Sequence, residues 1–109
     1  LTPQNTGEDY LPIHRVSIPP KFDEQAISRA TVYPPIALRS GIEGRVILEL
    51  FIDRTGQVQR ITILQETPPG RGFGEAAVRA FEGQRCSPAE ANGLPVSVRY
   101  RYPVSFRIR

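Results

Sequence analysis

From Val96 to Arg109 the chain alternates with almost no break. Val96, Val98, Tyr100, Tyr102, Val104, Phe106 and Ile108 fall on one side, and Ser97, Arg99, Arg101, Pro103, Ser105, Arg107 and Arg109 on the other. A period of two predicts a strand with one buried face and one wet, cationic face. Pro103 has no N–H to give a ladder, which puts this strand at a sheet edge. Gly44 to Gly56 predicts a second kind of strand. Val46, Leu48, Leu50 and Ile52 share one face and Ile47 and Phe51 the other, so both faces are apolar and the strand is central. Asp53-Arg54-Thr55-Gly56 has the chemistry of a hairpin loop, with Gly56 free to take positive φ. Val58 to Leu64 returns as its partner, with Ile61 and Ile63 on the same face.

Elsewhere the period changes to that of a helix. Phe73, Ala76, Ala77, Ala80 and Phe81 form one apolar stripe over Phe73 to Glu82, and Gly83 ends it. Pro19-Pro20 breaks the chain, after which Asp23 caps a short helix ending near Ala30. Phe22 and Ile27 occupy the positions of a hydrophobic staple around that cap. Pro34 and Pro35 suit the first turn of another short helix, with Gly41 as its left-handed terminator. Thr67-Pro68-Pro69-Gly70 reads as a loop and Asn92-Gly93 as a turn. The expected fold is α+β: a three-stranded antiparallel sheet of order 2-1-3, with two main short helices packed on one face and an extra N-terminal helical or extended segment. Residues 1–9 read as the remnant of a linker, 10–30 as an N-terminal extension packing on the body, and 31–109 as the domain proper. There is no internal repeat.

The 109 residues suit one domain, and 39% hydrophobic content supports a folded core. With 11 Pro and 9 Gly, the elements are short and punctuated. The net charge is +3, carried almost wholly by arginine, since Lys21 is the one lysine. A charge this small fits nucleic acid, an anionic membrane, an acidic protein or simple solubility, and selects none of them. Cys86 is the sole cysteine, so no internal disulfide forms, and it reads as structural. The most apolar run, Val46 to Ile52, is too short to cross a bilayer and carries Glu49.

No constellation of catalytic groups is apparent. One histidine, His14, and one cysteine do not supply metal-ligand spacing. Pro68-Pro69-Gly70-Arg71-Gly72 lacks the lysine of a phosphate-cradling loop. The acids are scattered singly, and the hydroxyls have no base beside them. The expectation is a protein that is not an enzyme and carries no cofactor or metal. What remains is the last strand, whose edge presents unpaired N–H and C=O groups. Arg99, Arg101, Arg107 and Arg109 either protect that edge from aggregation or frame a docking site for an extended peptide.

Several residues carry a family resemblance. Tyr33-Pro34, Ala37 and Gly41-Ile42-Glu43-Gly44-Arg45-Val46 resemble the opening signature of the TonB C-terminal domain. The likeness continues through Phe51-Ile52-Asp53, Gly56-Gln57-Val58, Phe73, Ala76-Ala77, Ala80, Ser87-Pro88-Ala89, Asn92-Gly93, Pro95-Val96 and Pro103-Val104-Ser105-Phe106, so it spans Tyr33 to Ile108. The chain departs from the family at Glu82 to Cys86, where relatives often carry aromatics. It departs again at Ile36, where many carry a basic residue, and in the longer segment from Tyr10 to Ala30. The resemblance implies the periplasmic domain of a transducer anchored in the inner membrane. Such proteins energise outer-membrane transporters for siderophores, cobalamin and similar nutrients, drawing the proton-motive force through a motor complex. It implies a partner, the transporter's TonB-box peptide, added as a strand along Val98, Arg99, Tyr100, Arg101, Tyr102, Val104, Ser105 and Arg107. A second contact is implied at Val32, Tyr33 and Pro34. Two alternatives are a TolA-like envelope-integrity domain and a basic nucleic-acid module. The preferred reading has no nucleic-acid partner and admits a strand-exchanged homodimer of the fragment.

Overall fold

The computed structural model describes residues 10–108, so the linker expected over 1–9, and Arg109, lie outside them. In chain order the elements are β1 (Leu11–Pro12), a 3-10 turn (Ile13–Arg15), α1 (Glu24–Ala30), α2 (Pro35–Arg39), β2 (Gly44–Ile52), β3 (Val58–Thr67), α3 (Phe73–Phe81), β4 (Ala89–Ala91), β5 (Leu94–Val96) and β6 (Val98–Phe106).

The three long strands take the expected arrangement, with β2 between β3 and β6 and antiparallel to both. The sheet itself corrects the expectation of three antiparallel strands. It has four, in the order β1-β6-β2-β3, and it is mixed because β1 runs parallel to β6. A ladder of two residues, one of them Pro12, has no period from which to be read. The hairpin partner extends to Thr67, beyond the expected Leu64. A register shift between Ile47 and Leu48 leaves Leu64 without a partner on β2 and breaks the period of its neighbours. The last strand is shorter than its alternation suggested. Val96 belongs instead to β5, which pairs with β4 in a small separate hairpin around Asn92-Gly93. Both turn residues have positive φ, as that tight turn requires. Ile108, expected on the buried face, lies past the end of β6 and is exposed.

The helices lie on the face lined by Val46, Leu48, Leu50 and Ile52, all of them fully buried. Asp23 caps α1, its Oδ1 accepting from the N–H groups of Gln25 (3.1 Å) and Ala26 (3.2 Å). Phe22 and Ile27, the staple positions, are both buried. At the end of α2 the N–H of Gly41 donates to the Leu38 carbonyl and that of Ile42 to the Ala37 carbonyl. This pair of bonds, with Gly41 at φ +70°, is the Schellman termination. The cap residue of α3 is Gly72, which has no side chain to offer. Glu66 supplies the missing acceptor from β3, its Oε2 taking the Gly74 N–H at 3.1 Å.

Aromatic rings close the core, edge to face around Phe81 and tilted between Phe73 and Phe106. Phe81 packs on Phe22 (5.3 Å between centroids) and on Tyr102 (4.8 Å), and Phe73 packs on Phe106 (4.9 Å). Gly44 is required where Phe73 crosses β2, since a Cβ there would lie 2.4 Å from its ring. The N-terminal segment wraps one end of the sheet. Tyr10 covers Phe51 on the face away from the helices, β1 passes along the edge of β6, Ile18 pairs with Glu90, and Phe22 enters the core on the helix side.

Candidate functional site

The edge of β6 is built from a simple alternation. The N–H of Leu11 donates to the Ser97 carbonyl at 2.9 Å, so Ser97 turns its backbone away from β2. With a period of two, Arg99, Arg101, Pro103 and Ser105 do the same, while the even-numbered residues turn theirs towards β2. The register Leu11↔Val98 and Pro12↔Arg99 covers the Arg99 end with β1. Beyond it no other strand pairs with this side of β6 among the described residues. The open stretch offers the N–H groups of Arg101 and Ser105 and the carbonyls of Arg101, Pro103 and Ser105. Pro103 lies opposite Ile47, and its missing N–H falls on the open side, so the β2 ladder is not interrupted.

Side chains follow the same alternation. Val98, Val104 and Phe106 are buried, and Tyr100 and Tyr102 are half-buried on the helix side. These rings face the helix layer, which leaves them unsuited as a stacking platform for bases. Of the residues expected to bind a partner, Val98, Tyr100, Tyr102 and Val104 therefore direct their backbones to β2 and their side chains inward. Arg99 faces β1. Arg101 and Ser105 lie on the open edge, with Arg107 just past the strand, and all three side chains are exposed. Pro103 joins them, although its place in the sequence marks it only as a residue of an edge.

On the outer face, rows of residues cross the sheet. Phe51 is flanked by Arg99 and Arg60, Glu49 by Arg101 and Thr62, and Ile47 by Pro103 and Gln65. Phe51 is only 6% exposed despite facing away from the helices. Tyr10 meets it edge to face at 5.3 Å and the Arg60 guanidinium lies 4.2 Å over its ring. The apolar outer positions of β2 marked the strand as central, but nothing in the sequence linked Phe51 to Tyr10.

The second expected contact, Val32, Tyr33 and Pro34, divides in two. Tyr33 is an anchor: its ring packs on Phe73 (5.8 Å) and Phe106 (5.6 Å), and its hydroxyl donates to the Ile42 carbonyl. Val32 (66% exposed) and nearby Ile36 (70%) are open to solvent. Pro34 and Val32 line a recess of about 270 Å³ with Gly72, Glu75 and Arg79. Through Phe106, Tyr33 ties this segment to the far end of β6.

The remaining chemically active groups have structural partners. Desolvation pushes the Asp53 carboxyl up, but hydrogen bonds from Thr55, Gln57 and Gln59 together outweigh it and bring the pKa down to about 2. Asp53 thus clamps the β2–β3 turn. The Cys86 thiol is buried and approaches the Gly56 carbonyl at 3.4 Å. Burial raises its pKa to about 11, so it is a neutral thiol at pH 7 rather than a nucleophile. Among the described residues no group of three or more His, Cys, Asp or Glu is placed to hold a metal, and no helix is long and apolar enough to cross a membrane.

Known proteins resemble both the sequence and this architecture. Residues 29–108 match the family described as the Gram-negative bacterial TonB protein C-terminal. Protein TonB of Xanthomonas campestris pv. campestris is 32% identical over 76 residues, covering 70% of this chain and 34% of that protein. Protein TonB of Vibrio cholerae is 30% identical over 95 residues, covering 84% of this chain and 38% of that protein. The chain thus spans little more than a third of the length of these curated relatives. The solution structure of the Pseudomonas aeruginosa TonB C-terminal domain superposes with a TM-score of 0.60 at 26% identity, over 90% of this chain and 93% of that one. That of the Helicobacter pylori domain gives 0.58 at 26%, over 79% and 77%.

Proposed function

Because the chain belongs to the Gram-negative bacterial TonB C-terminal family, we propose that it is the periplasmic, partner-gripping domain of a TonB-type transducer. In this reading it adds the TonB-box peptide of an outer-membrane transporter as a new strand on β6. Parts of the protein outside this chain, anchored in the inner membrane and engaged with a motor complex, bring the proton-motive force that drives nutrient uptake. The observation that carries the reading is the stretch of β6 beyond β1 that no strand pairs among the described residues, with its five backbone groups turned outward.

Those groups bound the affinity. Five hydrogen bonds at about 1 kcal/mol net each give about 5 kcal/mol, a Kd of a few tenths of a millimolar. Side-chain burial is needed to reach the micromolar range. A weak grip suits a domain that releases one transporter and takes another, and pairing through the backbone tolerates varied side chains. The exposed Val32 and the half-buried Pro34 supply a second contact at the far end of the strand. The experiment is an NMR titration of the labelled monomer with a synthetic TonB-box peptide. Shifts gathered on Arg101, Ser105 and Arg107 support the reading, and a monomer unmoved at millimolar peptide overturns it.

A further inference from the structure

The two layers of the domain carry unlike shares of its charge. The helices α1, α2 and α3, with their caps, hold Arg29, Arg39 and Arg79 against Asp23, Glu24, Glu75 and Glu82, a net of −1. On the outer face of the three long strands the register brings together Arg45, Arg60, Arg99 and Arg101, with Glu49 as the one acid, a net of +3. That equals the charge of the whole chain. All four arginines are exposed, and among the described residues none of them is held in an ion pair.

Their neighbours keep the face polar. Thr62, Gln65, Thr67 and Ser105 share it and are exposed, Ile47 is half-buried, and Phe51 is sealed beneath Tyr10 and Arg60. A stable protein interface is built on an apolar centre from which charge is depleted, and this face has no such centre. The exposed apolar side chains of Val32, Ile36 and Leu38 belong instead to α2 and the segment before it. Bases find no ring to stack on, because Tyr100 and Tyr102 face the helix layer.

We infer that the outer face is a docking surface for an anionic phospholipid bilayer. A plane of fixed phosphates asks for no pocket and no apolar anchor: guanidinium forks pair with its oxygens, and affinity follows the local net charge. The opposed charge of the helix layer orients the domain, since only one layer is drawn to such a surface. The open edge of β6 lies at the margin of the face, with its outward N–H and C=O groups in the plane of the sheet. An adsorbed domain therefore keeps that edge free, and the docking surface stands independently of strand addition.

The test is co-sedimentation of the domain with vesicles of phosphatidylcholine alone and with vesicles about one-third phosphatidylglycerol. Each guanidinium contributes roughly fivefold at an anionic surface, so three net charges compound to roughly a hundredfold. The expected result is a preference of that order for the anionic vesicles at low salt, lost at about 0.5 M, where charge is screened within roughly 4 Å. Two triple variants of equal net charge separate the face from the total. Arg45→Gln, Arg99→Gln and Arg101→Gln together abolish the preference, whereas Arg29→Gln, Arg39→Gln and Arg79→Gln together leave it. All six positions are exposed, so neither set opens the core. Equal losses in the two variants show attraction to the total charge and overturn the docking face, as does equal binding of the unaltered domain to both kinds of vesicle. Tighter binding to a short DNA duplex than to the anionic vesicles at the same salt assigns the face to nucleic acid and overturns it too.

Discussion

Pro103 is the residue at which the edge geometry is most open to test. Its missing N–H interrupts the outward row of donors between Arg101 and Ser105, while the ladder to β2 does not use that position. Pro103→Ala therefore adds one exposed donor without removing any bond inside the domain. If an added strand places a carbonyl there, one further hydrogen bond is worth about 1 kcal/mol net, or about fivefold in affinity. The unfolded chain gains freedom when the ring is lost, which lowers stability by about 0.4–1 kcal/mol. The variant is thus expected to bind a TonB-box peptide more tightly while unfolding at slightly lower urea. It is also expected to self-associate more readily, since proline is one of the devices that blunt an exposed edge. The new backbone amide at position 103 reports directly by hydrogen exchange: fast in the free domain and slowed in the complex. An amide already protected in the free monomer would show that residue 103 faces into the sheet, and the account of the edge would fail whether or not a peptide binds.

Two further expectations concern the β2–β3 turn. Gly56→Ala places a Cβ 1.9 Å from the Cys86 carbonyl oxygen, at φ +90°. Left-handed strain of about 1–2 kcal/mol adds to a clash with backbone that must move, so a loss on the order of 3 kcal/mol is expected in urea unfolding, and a loss below about 1 kcal/mol would refute it. Asp53 has a folded pKa lowered from 3.8 to about 2, so the carboxylate stabilises the fold above the unfolded value and that contribution disappears as pH falls through the folded one. Discounted for solvent screening it is worth about 1 kcal/mol. Asp53→Asn should remove that part of the stability slope between about pH 4 and pH 2, and an unchanged slope would exclude the clamp.

The architecture was legible where a period ran long enough to exclude its rivals. The even residues of β2 and β6 specified which side carries the core, and Pro103 specified the edge. Asp23, Phe22 and Ile27 marked the start of α1 before any contact was visible. What escaped were features that depend on distant chain. β1 is two residues with no alternation, and only the fold brings it to Val98. The cap of α3 comes from Glu66 on the preceding strand, across a loop, so no spacing within the helix announces it. The packing of Tyr33 in the core escaped as well, because nothing local says that its ring meets Phe106. At the edge, the alternation gave the sides correctly, but its consequence for the backbone was missed. The same parity that buries Tyr100, Tyr102 and Val104 also commits their N–H and C=O groups to β2.

Under the proposed strand-addition reading, that parity lets one strand serve two purposes without conflict. The even residues of β6 hold it to β2 and to the aromatic core through Phe22, Phe73 and Phe81, so the strand is fixed before any partner arrives. The odd residues make no claim on that core and leave three carbonyls and two N–H groups for a partner. A pull on an added strand is then borne by several bonds at once and passes straight into the central pair of the sheet, rather than into a loop. An edge with so regular an offer also attracts further copies of itself. Pro103, the arginines on the outer face and the short cover of β1 each restrict it in a different way: one by a missing donor, one by charge, one by occupying the strand's first outward position. None closes it, and the stretch from Arg101 to Ser105 that they leave is as long as a short recognition peptide.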